Sequence, residues 1–169
     1  MQCETCKAEI QNLGAKFCPN CGNKLFRDDR GRKAEEVTRE WLRDILHHLD
    51  YEVTLSESDT NNMLAVHKTK PNFLIDIKRD FRIIAIQSLW KLKKPSWGKK
   101  GELIAAINKA NNISWIGIYS VNDTNEGLTV SSHINLTDSL SEGDIVFFID
   151  KFATSLDFAF TQSGLREFS

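Results

Sequence analysis

The chain is poor in most of what carries chemistry. Its 169 residues include three prolines, two methionines, two tyrosines and four cysteines. Neither sign of charge dominates: 22 lysines and arginines face 23 acids, a net charge of −1, so bulk positive charge is not available to draw in nucleic acid. Unbroken apolar runs such as Ile145 to Ile149 fall far short of the roughly 20 residues a bilayer requires. The polar start from Met1 to Lys7 lacks the apolar centre of a secretory signal, and the expectation is a cytoplasmic protein. There is no glycine-rich phosphate loop and no nucleophile elbow, and the four histidines are scattered, so no enzyme is expected.

What the chain has is concentrated at its start. All four cysteines fall into two C-x-x-C pairs, Cys3 with Cys6 and Cys18 with Cys21, with eleven residues between the pairs. Two thiolates three residues apart grip one side of a Zn²⁺ ion, and a second pair closes the tetrahedron with no vacant position. Closed coordination is structural, so a Zn²⁺ cofactor is expected and catalysis at it is not. Gly22 follows Cys21 where a tight turn needs positive φ, and Pro19 stiffens the same turn. Phe17-Cys18-Pro19-Asn20-Cys21-Gly22, with the first pair, resembles the short zinc ribbon at the start of many bacterial proteins. Two disulfides or a redox dithiol are the weaker alternatives, because a reducing cytosol keeps thiols free and the segment is too short for a βαβ setting.

Charge is unevenly placed. Residues 1–33 carry seven basic side chains against four acids, and the remainder 15 against 19. Four thiolates with one Zn²⁺ add about −2 to the ribbon, leaving it a weak clamp for phosphate.

A charged segment from Phe26 to Arg32 reads as a linker. Helical periodicity then begins, with Ala34, Val37, Trp41, Ile45 and Leu49 on one face; His47 and His48 near the end read as ordinary helix-terminal residues. From Tyr51 the period becomes two, predicting a hairpin over Tyr51–Leu55 and Met63–His67, then strands over Phe73–Lys78 and Phe81–Leu89. Ile83, Ile84 and Ile86 place apolar groups on both faces of the last of these, which predicts a central position. A second helix is expected from Glu102 to Asn111, with Asn111-Asn112 as its stop, then a strand hairpin over Trp115–Val121 and Leu128–Leu136 around the turn 122–127. His133 falls on the polar face of its strand. Ser141-Glu142-Gly143-Asp144 opens a third helix with a capping-box pattern, and Ile145, Phe148, Ile149, Phe152, Leu156 and Ala159 form its core stripe.

Two stretches are candidate binding surfaces. Residues 90–100 interleave five lysines with Trp90 and Trp97; Lys93, Lys94, Lys99 and Lys100 could meet phosphates while the rings stack. A solvated loop marked by Pro95 and Gly98 is the preferred reading of this stretch. Phe147, Phe158 and Phe160 lie off the stripe of the third helix and either deepen the core or cover a partner.

The order helix, several antiparallel strands, helix, two strands, helix, with Asn108-Lys109-Ala110-Asn111, Trp115-Ile116-Gly117-Ile118-Tyr119, Leu128-Thr129-Val130 and Phe148-Ile149-Asp150-Lys151-Phe152, resembles the YbjN family from about residue 33 to 162. The resemblance implies the fold of type III secretion chaperones, domains that often dimerise and bind other proteins; the YbjN group is described as regulators of sensory transduction. It brings no catalytic residues.

The expectation is therefore an α+β protein: a zinc ribbon over 1–26, a linker over 27–33, an antiparallel-sheet domain with helices packed on it over 34–162, and a tail over 163–169. Its function is expected to be a non-catalytic, zinc-binding regulator or chaperone-like adaptor that holds a partner polypeptide or a second copy of itself as a homodimer. The alternative is a nucleic-acid-associated regulator using the ribbon and the Lys91–Lys100 loop.

Overall fold

The computed structural model describes residues 2–3, 5–10, 17–23, 25, 31–93, 99–121, 126–136 and 139–168. Phe26 to Arg30 of the expected linker, the Lys94–Gly98 stretch of the basic loop and residues 122–125 of the expected turn lie outside them.

Among the described residues, six strands and three α-helices follow the cysteine pairs: α1 (Arg39–His48), β1 (Glu52–Leu55), β2 (Asn62–Val66), β3 (Phe73–Lys78), β4 (Ile83–Lys91), α2 (Lys100–Ile113), β5 (Ile118–Val121), β6 (Gly127–Asn135) and α3 (Glu142–Ser163). The strands form one antiparallel sheet in the order β1-β2-β3-β4-β6-β5. β4 lies between β3 and β6, the central place its two apolar faces imply. All three helices pack on one face: α1 against β1 and β2, α2 against β5, and α3 between α1 and α2 against β6.

Local chemistry sets the element ends. The Thr38 hydroxyl accepts from the Trp41 N–H and starts α1 there, so the expected first turn at Ala34 is a separate 3₁₀ turn, with buried Val37 in the extended break. The expected capping box of α3 is present: Ser141 Oγ accepts from the Asp144 N–H at 3.2 Å, and the Asp144 carboxylate accepts from the Ser141 N–H at 2.8 Å.

Period-two alternation sends Met63 and Ala65, Phe73, Ile75 and Ile77, Ile84 and Ile86, and Leu128 and Val130 under the helices. They meet Leu42, Ile45 and Leu46 of α1, Leu103, Ile107 and Ala110 of α2, and Ile145, Ile149, Phe152 and Leu156 of α3 in one core.

Three expectations about this domain are corrected. Asn111 does not end α2, which runs to Ile113; its side chain faces the free edge of β5, accepting from the Tyr119 N–H at 2.7 Å and donating to the Tyr119 carbonyl at 2.9 Å. A helix side chain thereby supplies the hydrogen bonds a further strand would make and blunts that edge. β5 begins at Ile118 rather than Trp115: the Gly117 N–H donates to Ser114 Oγ at 3.0 Å and the Ile116 carbonyl accepts from the Ser132 hydroxyl at 2.6 Å, so side chains take the backbone groups just ahead of the ladder. The expected tail is part of the body: Gly164 turns the chain at φ 85°, a 3₁₀ turn over Leu165–Phe168 follows, Leu165 and Phe168 are buried, and the Lys93 N–H donates to the Phe168 carbonyl at 2.7 Å.

Candidate metal centre and binding surfaces

Each cysteine pair sits in the same backbone knuckle. In the first, the Cys3 N–H donates to the Ala8 carbonyl at 2.9 Å and the Lys7 N–H to the Cys3 carbonyl at 2.9 Å; in the second, the Cys18 N–H donates to the Asn23 carbonyl at 2.7 Å and the Gly22 N–H to the Cys18 carbonyl at 2.8 Å. The offsets are identical, so the two knuckles repeat one conformation. Its fifth residue takes positive φ: Gly22 at 71°, the expected place for a glycine, and Lys7 at 58° without that licence. The Asn23 side-chain amide donates to Thr5 Oγ1 at 2.8 Å and ties the knuckles together.

The four Sγ atoms converge, all within 4.8 Å of one another, with Cys3 to Cys21 at 3.7 Å and Cys6 to Cys18 at 3.6 Å. A tetrahedron with metal–sulfur bonds of about 2.3 Å has sulfur–sulfur edges of about 3.8 Å, so the donor set fits one Zn²⁺. Backbone and amide donors aim at the sulfurs as they do in metal knuckles. N–H groups of Cys6 and Thr5 lower the pKa of Cys3, and the Asn20 side chain with the Ala8 N–H lowers Cys6 to about 6. Cys21 is pushed up to about 12: the Asn23 N–H opposes the shift, and burial with hydrogen bonds to Cys6, Cys18 and Cys3 outweighs it. Without a cation at the centre the four thiols share protons; a divalent ion in their place lets all four ionise.

The described residues of the basic stretch belong to different elements. Trp90 belongs to β4, half-buried, with its ring 4.8 Å from that of Phe160, and Leu92 is buried. Lys93, Lys99 and Lys100 are exposed, while Lys94 and Trp97 lie outside the described residues. Lys99 and Lys100 stand at the N-terminus of α2, where the helix dipole disfavours cations, so they do not serve the helix.

The three phenylalanines divide. Phe160 is 4% exposed and belongs to the core, so with Trp90 it is withdrawn from the candidate surface. Phe147 stays exposed beneath the Lys151 ammonium, 5.4 Å from the ring centre, and Phe158 stays exposed beside Trp115 at 6.3 Å. Among the histidines, His133 is exposed on the uncovered sheet face, and His48 Nδ1 lies 3.3 Å from the buried Glu142 carboxylate, joining α1 to α3.

Sequence reasoning offered the sheet as a binding surface beside the last helix but did not single out its outward residues. On the face away from the helices, Leu64 pairs with Leu74, Leu74 with Gln87, Gln87 with Ser131 and Ser131 with Ile118, a row crossing five strands. Val66 and Leu89 lie beside it on β2 and β4. Leu89 is 64% and Ile118 70% exposed, and Leu64 and Val66 are exposed as well. The outward residues of these strands were the signal, visible once β3 and β4 were known to be neighbours. Among the described residues, no helix is long and apolar enough to cross a membrane.

Residues 38–163 match the family described as "Putative bacterial sensory transduction regulator", YbjN, a description that names a regulator and not an enzyme. Two solved structures share the fold. One is "YbjN, a putative transcription regulator from E. coli", at 12% identity and a TM-score of 0.57, covering 76% of this chain and 93% of that one. The other is an uncharacterized protein from Methanothermobacter thermautotrophicus, at 14% identity and a TM-score of 0.57, covering 77% of this chain and 99% of that one. No curated protein matches.

Proposed function

The chain belongs to the YbjN family, and from that premise we propose that it is a non-catalytic regulatory module that acts by holding a partner polypeptide on the uncovered face of its sheet, with a zinc ribbon at its start. The observation that carries this reading is the set of apolar side chains on that face, with Leu64 and Leu74 at one end of the row and Ile118 at the other, and polar Gln87 and Ser131 between them. An antiparallel sheet with one solvated side ordinarily alternates apolar-in and polar-out. Here Leu64, Val66, Leu74, Leu89 and Ile118 face outward on four strands, in register. Neighbouring strands are about 4.8 Å apart, so Leu64 and Ile118 span about 19 Å, a width suited to an amphipathic helix or a second sheet.

In this reading the ribbon holds one structural Zn²⁺ on Cys3, Cys6, Cys18 and Cys21, and Phe147 and Phe158 offer a second, smaller contact on α3. The ribbon is too small to fold on apolar burial alone: among its described residues the buried cluster is Cys3, Ile10 and Cys18. Metal binding supplies the folding free energy instead.

The test compares wild type with Leu64→Glu, Leu89→Glu and Ile118→Glu combined, and separately with Lys93→Ala, Lys99→Ala and Lys100→Ala combined. Binding through the sheet face predicts partner capture that survives nuclease and high salt and is lost with the glutamates. Capture that collapses with nuclease or salt, and is lost with the alanines instead, would overturn this reading in favour of phosphate contacts.

A further inference from the structure

A second feature lies on the other side of the sheet, within the helical layer. A cavity of about 600 Å³ opens between the β2–β3 loop, the end of β4 and α3. That volume lies within the range of small-molecule sites, about 300–1,000 Å³. Its apolar wall is made by Tyr51, Trp90, Ala153, Leu156 and Phe160, and its charged groups are Lys68, Lys70 and Arg166 with Asp150 and Asp157.

The charges are not evenly engaged. Arg166 is paired with Asp157, whereas Lys68 and Lys70 are exposed on the loop and not ion-paired among the described residues. The loop holding them is shaped from within: His67 Nδ1 accepts from the N–H groups of Thr69 and Lys70, each at 3.0 Å, and the His67 ring rests 4.9 Å from Tyr51. Two lining residues also carry buried donors without a hydrogen-bond partner, Tyr51 Oη and Trp90 Nε1. Buried polar groups in folded proteins are almost always paired, and a wall that served packing alone would be as well served by phenylalanine.

The apolar wall and the pair of cations at the rim together specify the occupant's chemistry. We propose that this cavity binds a small amphipathic carboxylic acid, with its acyl or aryl body against Trp90, Leu156 and Phe160 and its carboxylate at Lys68 and Lys70. Asp150 on α3 excludes an anionic head from the Tyr51 side and directs it to the loop. This site is separate from the sheet face and does not depend on the partner reading.

The test is titration of the full ¹⁵N-labelled chain with decanoate and 2-naphthoate, with decanol, 2-naphthol and decylammonium as matched controls, following the Trp90 indole N–H resonance. At least one carboxylate shifts that resonance saturably, and which of the two does so separates acyl from aryl ligands. Its neutral counterpart binds at least about tenfold more weakly, the equivalent of about 1.4 kcal/mol. Lys68→Glu with Lys70→Glu weakens the carboxylate by at least as much. Ala153→Phe fills the cavity and removes the shift, with the Trp115 indole resonance unmoved as the sign that the fold persists; should it unfold, the lysine variant decides alone. The proposal is overturned by any of three results: no saturable Trp90 shift at millimolar probe, alcohol or ammonium binding as tightly as acid, or shifts confined to Trp115.

Discussion

Gly31 is where the strap entering the body, Gly31 and Arg32, is pinned against it, and Gly31→Ala tests that attachment. A Cβ at this position would lie 2.4 Å from Ser139 Cα and 2.5 Å from the Ser139 carbonyl carbon and oxygen, all backbone atoms that no rotamer change can clear. The least costly response is for the strap to lift away, which breaks the bridge between Arg32 and Leu140: the Arg32 N–H to the Leu140 carbonyl at 2.8 Å and the Leu140 N–H to the Arg32 carbonyl at 3.1 Å. Two backbone hydrogen bonds at about 1 kcal/mol net each give a loss of about 2 kcal/mol, or roughly 4–8 °C in Tm for a chain of this size. Arg32 would also leave the Trp41 ring, 4.9 Å away. The assay is thermal unfolding together with amide hydrogen exchange. Leu140 should lose protection while Val130 and Phe152, deep in the core, keep theirs, because the event is local. Gly101→Ala is the control: nothing lies within 4 Å of its Cβ position in α2, so it should stabilise by up to about 1 kcal/mol. Unchanged Leu140 protection and Tm in Gly31→Ala would refute the placement of the strap.

Cys18→Ser should abolish one equivalent of bound zinc measured by atomic emission, and should unfold the ribbon while leaving the unfolding of the body within about 1 kcal/mol of wild type, since the body has its own core. Burial, with Lys70 and Lys68 nearby, lowers the His67 pKa, so its neutral form is the one that fits the fold. The loop's stability is then fully present above the ordinary value of about 6.5 and lost as pH falls through the lower folded value, because a protonated Nδ1 cannot accept from Thr69 and Lys70. Exchange rates of those two amides, corrected for intrinsic pH dependence, should rise over that window in wild type and not in His67→Gln. Trp90→Phe removes a buried N–H without a partner and should change stability by less than about 1 kcal/mol, whereas Trp90→Ala should cost about 3 kcal/mol through the lost contact with Phe160; urea unfolding distinguishes the two.

Much of the fold is legible because its signals are local. Strand alternation at Phe73, Ile75 and Ile77, the capping box at Ser141 and the C-x-x-C spacing each rest on residues within a few positions of one another. What was not legible depends on partners distant in sequence or absent from any periodic pattern. Asn111 looks like a helix stop until β5 is folded beside it, eight residues further on. Phe160 lies off the expected stripe of α3, but α3 is flanked by both α1 and α2, so its buried arc is wider than one face and takes in Phe160 while leaving Phe158 out. Trp90 belonged by composition to a basic loop and by backbone to a strand. The cavity joins α3 to a loop some 80 residues earlier, with no spacing to mark it.

The two units of the chain are built on different energetics, and that difference limits how they can influence each other. The body buries apolar side chains from β2 to β6 and from all three α-helices, with Val53 and Leu55 of β1 packed partly buried at its margin, whereas the buried cluster among the described residues around the cysteines is Cys3, Ile10 and Cys18. Yet Leu25 packs against both clusters, and just beyond it in the chain the Arg32 bridge reaches Leu140, immediately before the cap of α3. Loss of metal would free the knuckles that position Leu25, and the effect would enter the body at the start of α3, the helix that carries Phe147, the Asp150 and Asp157 wall of the cavity, and Glu142 opposite His48.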